Sequence, residues 1–233
     1  MNKIKMITFD LDDTLWDNRP TIINAEIETR KWIEERVGKI KWGDLNDFLN
    51  LRKELIKKDE SIEWDIGKLR KEIFKEKLKH IRPSSLRNQI VNDAFEIFID
   101  KRHLIKLYDG VEDSLKILSK KYELGVLTNG NADIYKFEIG RYFKFSISSL
   151  EAKDNKPNRS HFDEASKKLG GIKFDEMLHI GDHQINDIIG ANNLGINTLW
   201  FNNNNNEWEQ DSKKPDEFSS WKRLPEIIEK YYG

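Results

Sequence analysis

The stretch IKMITFDLDDT, from Ile4 to Thr14, decides how the rest of the chain is read. Its first part is a short apolar run that stops abruptly at three carboxylates, Asp10, Asp12 and Asp13. A buried parallel strand whose C-terminal end opens onto a polar site reads this way. Along an extended segment residues two apart point to the same side, so Asp10 and Asp12 are expected to face one crevice. Two carboxylates held close do not both ionise easily at neutral pH. Such a pair divides into an anionic nucleophile and a proton donor.

Beyond this strand the rhythm changes twice. From about Thr21 to Ile105 the apolar residues recur at helical spacing, as in Trp64, Ile66, Leu69, Ile73, Phe74 and Leu78. About four helices are expected there, with Pro83 marking a break and serine capping the restart at Ser84 and Ser85. After Gly110 helices and strands alternate. The expected strands are Leu124 to Leu127, Phe143 to Ile147, Met177 to Ile180 and Ile196 to Phe201. The expected helices include Val111 to Lys120, Asp133 to Ile139, Arg159 to Leu169, Ile185 to Leu194 and one begun near Leu224. This alternation predicts an α/β fold, a doubly wound parallel sheet of Rossmann-like type with an inserted all-helical domain. The expected boundaries are 1–16 with 106–233 for the core and 17–105 for the insertion.

Composition narrows the function classes. With 37% hydrophobic and 35% charged residues and a formal net charge of −1, the chain carries no global field that calls for nucleic acid or an anionic membrane. It has no cysteine, which excludes disulfides, thiolate chemistry and cysteine-ligated zinc. No apolar run approaches the roughly 18 residues of a membrane span. A cytoplasmic protein, monomer or homodimer, acting on a small molecule is the expectation.

In open parallel sheets ligands sit at the carboxyl ends of strands, near a topological switch point. The residues there are Asp10 and Asp12, then Thr128-Asn129-Gly130, then Lys156 before Pro157, then Gly181-Asp182 with Asp187 five residues later. A carboxylate attacking a phosphate dianion is a poor electrostatic encounter. Asp10, Asp182, Asp187 and a bound phosphate bring about five negative charges, against one on Lys156. A divalent cation that prefers oxygen ligands supplies the balance, and magnesium suits carboxylate, phosphate and water. Thr128 offers a hydroxyl, and the backbone N–H groups of Asn129 and Gly130, at the start of the next helix, can hold phosphate oxygens.

These residues in this order resemble the haloacid dehalogenase-like phosphatase superfamily. Its four motifs are matched by DLDDT at Asp10 to Thr14, TNG at Thr128 to Gly130, Lys156 before Pro157, and GDHQIND at Gly181 to Asp187. The resemblance covers residues 3 to about 201, and the helical insertion falls where members with a cap between the first two motifs carry it. It implies that Asp10 is the nucleophile and that Asp12 protonates the leaving group and then activates water. It also implies that Thr128 and Asn129 hold phosphate while Lys156 offsets charge. Magnesium would be bound by the Asp10 carboxylate, the Asp12 backbone carbonyl and Asp182, with Asp187 in support. The stretch TFDLDDTLWDNRPTI, with LTNGNA and LHIGD, is further similar to bacterial phosphatases acting on FMN and on 5-amino-6-(5-phospho-D-ribitylamino)uracil in riboflavin biosynthesis. Nucleoside 5'-monophosphates and sugar phosphates are the alternative substrates. A phosphomutase shares Asp10 and Asp12 and stays open. A 2-haloacid dehalogenase uses the first aspartate but has no leaving oxygen to protonate, so Asp12 argues against it.

Other residues invite roles. Arg19 can reach a substrate anion or clamp the loop, and Trp16, just after the catalytic loop, is a candidate to stack on a planar substrate. Trp32, Trp42 and Trp64 are expected to pack the insertion. His179 is expected in the core, His183 near the metal waters or solvent, and His161 is a candidate to line the crevice. Of the two nearby lysines, Lys156 fits the motif and Lys153 is expected to be solvated.

Overall fold

The structure, a computed structural model, describes residues 3–232. Six strands form one parallel sheet: β1 (Met6–Phe9), β2 (Glu123–Thr128), β3 (Phe145–Ser148), β4 (Met177–Gly181), β5 (Asn197–Phe201) and β6 (Glu217–Phe218). Their order is β3-β2-β1-β4-β5-β6. The chain therefore builds outward from β1 on one side, then crosses back to add β4 on the other. The switch point lies between β1 and β4, where Phe9 stands in register with Val126 on one side and Ile180 on the other. All four β1 residues are buried, as an apolar central strand requires. The doubly wound sheet expected from the sequence is the one observed.

The chain divides into two compact units, one up to Asp17 and from Lys106 onward, the other Asn18–Ile105. The second unit holds α1 (Asn18–Val37), α2 (Leu45–Lys58), α3 (Ile66–Lys77) and α4 (Ser84–Arg102). Pro20 lies in the first turn of α1, where a missing N–H costs nothing. Asp44 caps α2 in a reciprocal box with Asp47, and the Asp65 side chain accepts from Lys68 N at the start of α3. The serine cap expected for α4 is not made. Pro83 occupies the cap position in an extended conformation, and Ser84 is already helical. Both α1 and α3 pack against α4. Their shared core is Ile33, Phe74, Leu78, Ile90, Val91 and Ala94, with Trp32 and Trp42 packed beside it. Each of the buried Ile, Phe, Leu and Val side chains contributes about 1.5–3 kcal/mol, and the Ala94 methyl less.

In the first unit α5 (Val111–Leu118), α6 (Ser149–Ala152), α7 (Ser160–Lys168), α8 (Gly190–Asn192) and α9 (Leu224–Tyr232) connect and flank the strands. Two expected helices take other forms. The segment expected to be helical from Asp133 to Ile139 is broken into short 3-10 turns, Ile134–Lys136 and Glu138–Tyr142, with Phe137 extended between them. Tertiary packing overrides the local pattern: the Phe137 ring lies against Trp16, and Gly140 folds so close that a Cβ would come within 2.6 Å of the Ile134 carbonyl oxygen. The segment after β4 opens with a π-helical turn, Gln184–Ile189, before α8. Gly190 there runs against Pro157, where a Cβ would stand 2.8 Å from a backbone atom.

Candidate active site

The turn after β1 is set by backbone bonds from Thr14 N and Leu15 N to the Leu11 carbonyl, with Asp13 at φ 62°. Extended backbone thus stops sooner than the spacing argument assumed, and the chain reverses just past Asp12. Asp10 is nearly buried, and its Oδ1 accepts from Lys156 Nζ at 2.8 Å. Lys156 Nζ also donates to Asp187 Oδ1 at 2.7 Å and to the Leu127 carbonyl at 2.5 Å. Three acceptors match the three N–H bonds of an ammonium group. Burial opposes its charge, but the two carboxylates outweigh burial and hold its pKa above the ordinary lysine value. Lys153 stands exposed in a left-handed conformation at the end of α6, so Lys156 is the lysine that reaches the carboxylates.

Asp187 is buried between three donors. Beside Lys156, its Oδ1 lies 3.3 Å from His179 Nε2, and its Oδ2 accepts from His183 N at 3.0 Å. Burial raises its pKa, but Lys156 and His179 more than reverse this and hold it well below the usual carboxylate range. Gly181 makes room for it: a Cβ there would lie 2.3 Å from the Asp187 carboxyl carbon. His179 is wholly buried, and Thr8 Oγ1 lies 2.8 Å from its Nδ1. Since a carboxylate only accepts, the neutral ring carries its proton on Nε2 and Thr8 donates to Nδ1.

Oxygen atoms of Asp10, Asp182 and Asp187 lie within 4.8 Å of one another. At that separation each like-charged pair costs about 3 kcal/mol for an effective dielectric constant near 20. Burial, reinforced by its carboxylate neighbours, pushes Asp182 up to about 8; burial likewise pushes Asp10 up to about 7, against the opposing pull of Lys156. An all-oxygen set crowded in this way fits a hard divalent cation better than an isolated protein site. Asp182 is fixed by Thr14 Oγ1, which donates to its Oδ1 at 3.1 Å, and by Trp200 Nε1, which donates to its carbonyl at 2.7 Å. Trp221 Nε1 donates to the Thr14 carbonyl at 3.1 Å and so braces the turn after β1 from behind.

Several expectations need correction. Trp16 has no exposed surface on which a substrate ring could stack; it packs on Phe137, and its Nε1 donates to Asp12 Oδ1 at 3.0 Å. No helix starts at Asn129. Its side chain instead clamps the lysine segment, with Nδ2 donating to the Lys156 carbonyl at 2.9 Å and Oδ1 accepting from Lys156 N at 2.8 Å. Thr128 Oγ1 accepts from Gly130 N at 2.9 Å, which leaves its O–H to donate. His161 lines no crevice. It is buried against the end of β2, 3.2 Å from the Thr128 carbonyl, and burial lowers its pKa to about 4. His183 stands exposed, and its Nδ1 accepts from Ile185 N and Asn186 N. Arg19 is exposed in the first turn of α1. The supporting contacts of Trp16, Trp200, Trp221 and Gly181 are not legible in the sequence, because nothing in local spacing distinguishes a bracing tryptophan from a packing one.

Fold and site together are those of a hydrolase with a largely buried carboxylate cluster at the carboxyl end of a parallel sheet. The chain belongs to the haloacid dehalogenase-like hydrolase family, whose model matches residues 4–195. It is 29% identical to the 5-amino-6-(5-phospho-D-ribitylamino)uracil phosphatase YigB of Escherichia coli (strain K12), over 90% of this chain and 88% of that protein. It is 26% identical to the pyrimidine 5'-nucleotidase PynA of Streptococcus pneumoniae, over 97% and 95% of the two chains. A solved structure described as the 2-haloacid dehalogenase from Pseudomonas syringae pv. Tomato DC3000 superposes with a TM-score of 0.91 at 32% identity, covering 98% of this chain and 99% of that one.

Proposed function

We propose that this protein is a magnesium-dependent phosphatase that works through a phosphoryl group carried on Asp10. The observation that carries the reading is the second carboxylate, Asp12, standing just past Asp10 with its side chain held by the Trp16 indole. An alkoxide leaving group must be protonated, and a group placed there to do so has no use in halide release. In this mechanism an Asp10 oxygen bonds to phosphorus while the bond to the leaving oxygen breaks, and Asp12 gives that oxygen its proton. Asp12 then takes a proton from water as the water attacks phosphorus, which frees phosphate and restores Asp10. Thr128 donates its hydroxyl hydrogen to a phosphate oxygen, and Lys156 fixes the Asp10 carboxylate and offsets its charge. Asn129 is proposed to offer its backbone N–H to a phosphate oxygen while its side chain holds the Lys156 backbone, with Arg19 proposed as a contact to the leaving group.

Asp10, Asp182 and the Asp12 carbonyl would hold magnesium, with Asp187 steadying Lys156 beside them. The cation would screen the phosphate from the carboxylates. The substrate proposed is FMN or 5-amino-6-(5-phospho-D-ribitylamino)uracil, the second supported by the likeness to YigB over most of both chains. Relatives named for pyrimidine nucleotides, and for glyceraldehyde 3-phosphate in Pyrococcus furiosus at 28% identity, set the alternatives. The rival reading, a 2-haloacid dehalogenase, draws on the name of the Pseudomonas structure and is opposed by Asp12.

One experiment tests the proposal. Enzyme stripped of metal and resupplied with magnesium is assayed on FMN, the ribitylaminouracil phosphate, nucleoside monophosphates, glyceraldehyde 3-phosphate and a 2-haloacid. The expected result is phosphate release only after magnesium returns, with the highest kcat/KM on one of the first two substrates. Halide release without phosphatase activity would overturn the reaction assigned.

A further inference from the structure

The helical unit contains a cavity that its own packing leaves unfilled. Both α1 and α3 rest on α4, while α2 rests on α3, and the space between α1 and the α2–α3 pair is a cavity of about 330 Å³. That is the lower end of the size range of small-molecule sites, about 300–1,000 Å³. Ile27, Phe48 and Ile73 line it, and Ile27 and Phe48 remain 57% and 39% exposed. Exposed apolar side chains around a concavity are not what a finished helix bundle shows.

The polar groups in this cavity are unbalanced. Arg30, Arg70 and Lys77 line it, against Glu26 and Asp44. Asp44 is engaged at the start of α2, where its Oδ1 accepts from Asp47 N at 2.9 Å. Glu26 is shared: Oε1 accepts from Arg30 Nε at 2.7 Å, and Oε2 accepts from Arg70 Nη1. Among the described residues no other protein acceptor takes an N–H from either guanidinium. The two planes are instead laid on aromatic rings, Arg30 over Trp42 at 4.9 Å and Arg70 over Phe98 at 3.5 Å. Burial, with Arg102 and Arg30 as like-charged neighbours, lowers the Arg70 pKa in spite of Glu26. Partly buried guanidinium groups that divide one carboxylate between them are short of negative charge, and an anion entering the cavity would supply it.

We propose that this cavity in the helical unit binds a small organic anion, its apolar body against Ile27, Phe48 and Ile73 and its acidic group on Arg30 and Arg70. The anion has two possible sources, the leaving-group portion of the enzyme's own substrate or a separate metabolite. The site itself does not depend on the phosphatase reading, because binding is measured without turnover.

The test uses the full chain, titrated calorimetrically with naphthalene-1-carboxylate and with its neutral counterpart 1-naphthalenemethanol. The carboxylate is expected to bind at least about tenfold more tightly, the size expected for a charge-assisted hydrogen bond in a partly buried site. Arg30→Met, which leaves Glu26 paired with Arg70, is expected to weaken the carboxylate about tenfold and leave the alcohol unchanged. Ile27→Glu, at an exposed position, places a repelling charge at the mouth and is expected to weaken the carboxylate by at least as much. Both variants should keep the wild-type thermal unfolding curve. Inhibition by the carboxylate that is competitive with the best phosphorylated substrate would name the leaving group as occupant. Modulation that leaves KM unchanged would name a separate metabolite. Equal binding of acid and alcohol, or carboxylate binding untouched by either variant, would overturn the proposal.

Discussion

The indole N–H of Trp16, 3.0 Å from Asp12 Oδ1, gives the tryptophan beside the turn after β1 a contact that sequence did not reveal. Reading Asp10 and Asp12 as a pair required only their spacing, and reading Trp16 as a stacking surface required only its nearness. Burial reverses the second reading, since a fully covered ring meets no substrate but can aim a carboxylate. Trp16→Phe keeps the packing on Phe137 and removes the donor. On alkyl phosphates, whose leaving oxygen needs a proton, kcat should fall about tenfold with KM little changed, the value of one hydrogen bond to a charged group. On p-nitrophenyl phosphate, whose leaving group needs no proton, the loss should be within about twofold. Steady-state kinetics on the two substrate types decides it, and equal losses would mean that Trp16 serves packing alone.

At the scale of elements, the strand ends were legible because a short apolar run followed by a polar cluster has few other meanings. Asp10 after β1 and Asp182 after β4 flank the switch point, and Lys156 bridges Asp10 and Asp187 beside it. What sequence missed is what tertiary packing imposes: the 3-10 turns around Phe137, the π-helical turn after His183, and the clamp that Asn129 places on Lys156. The helix α7 carries a further consequence in His161. Its pKa falls from 6.5 to about 4 in the fold, so the unfolded chain binds more protons anywhere between those values. Its contribution is therefore intact above pH 6.5 and is lost as pH falls towards 4, by about 3 kcal/mol at the end of that window. His161→Gln keeps a donor for the Thr128 carbonyl and has no such titration. Urea unfolding at a series of pH values should show wild type losing stability relative to this variant as pH falls from 6.5 to 4. A constant difference across that range would contradict the buried, neutral assignment.

For the whole molecule, the helical periodicity from about Thr21 to Ile105 is enough to announce an insertion, but where it joins the core is a matter of pairing. Leu15 O accepts from Tyr108 N at 3.0 Å, and Trp16 bridges to Leu107, so the chain leaves and re-enters the first unit at adjacent positions. Ends held together in this way tolerate excision. Replacing Asn18–Ile105 by a short Gly/Ser linker should leave a cooperatively unfolding α/β core, with slow hydrolysis of p-nitrophenyl phosphate and little discrimination among metabolites. Circular dichroism melts and a substrate panel check this, and a core that does not fold would mean the insertion is needed for more than specificity. The central claim, that Asp10 carries the phosphoryl group, rests on a constellation drawn from four strand ends. Its most direct test is peptide mapping of acid-quenched Asp12→Asn enzyme after mixing with magnesium and p-nitrophenyl phosphate, whose leaving group needs no proton from Asp12. The account predicts one phosphoryl group on the peptide containing Asp10, accumulating because the variant lacks the base that activates water. A burst of product with Asp10 unmodified would contradict it.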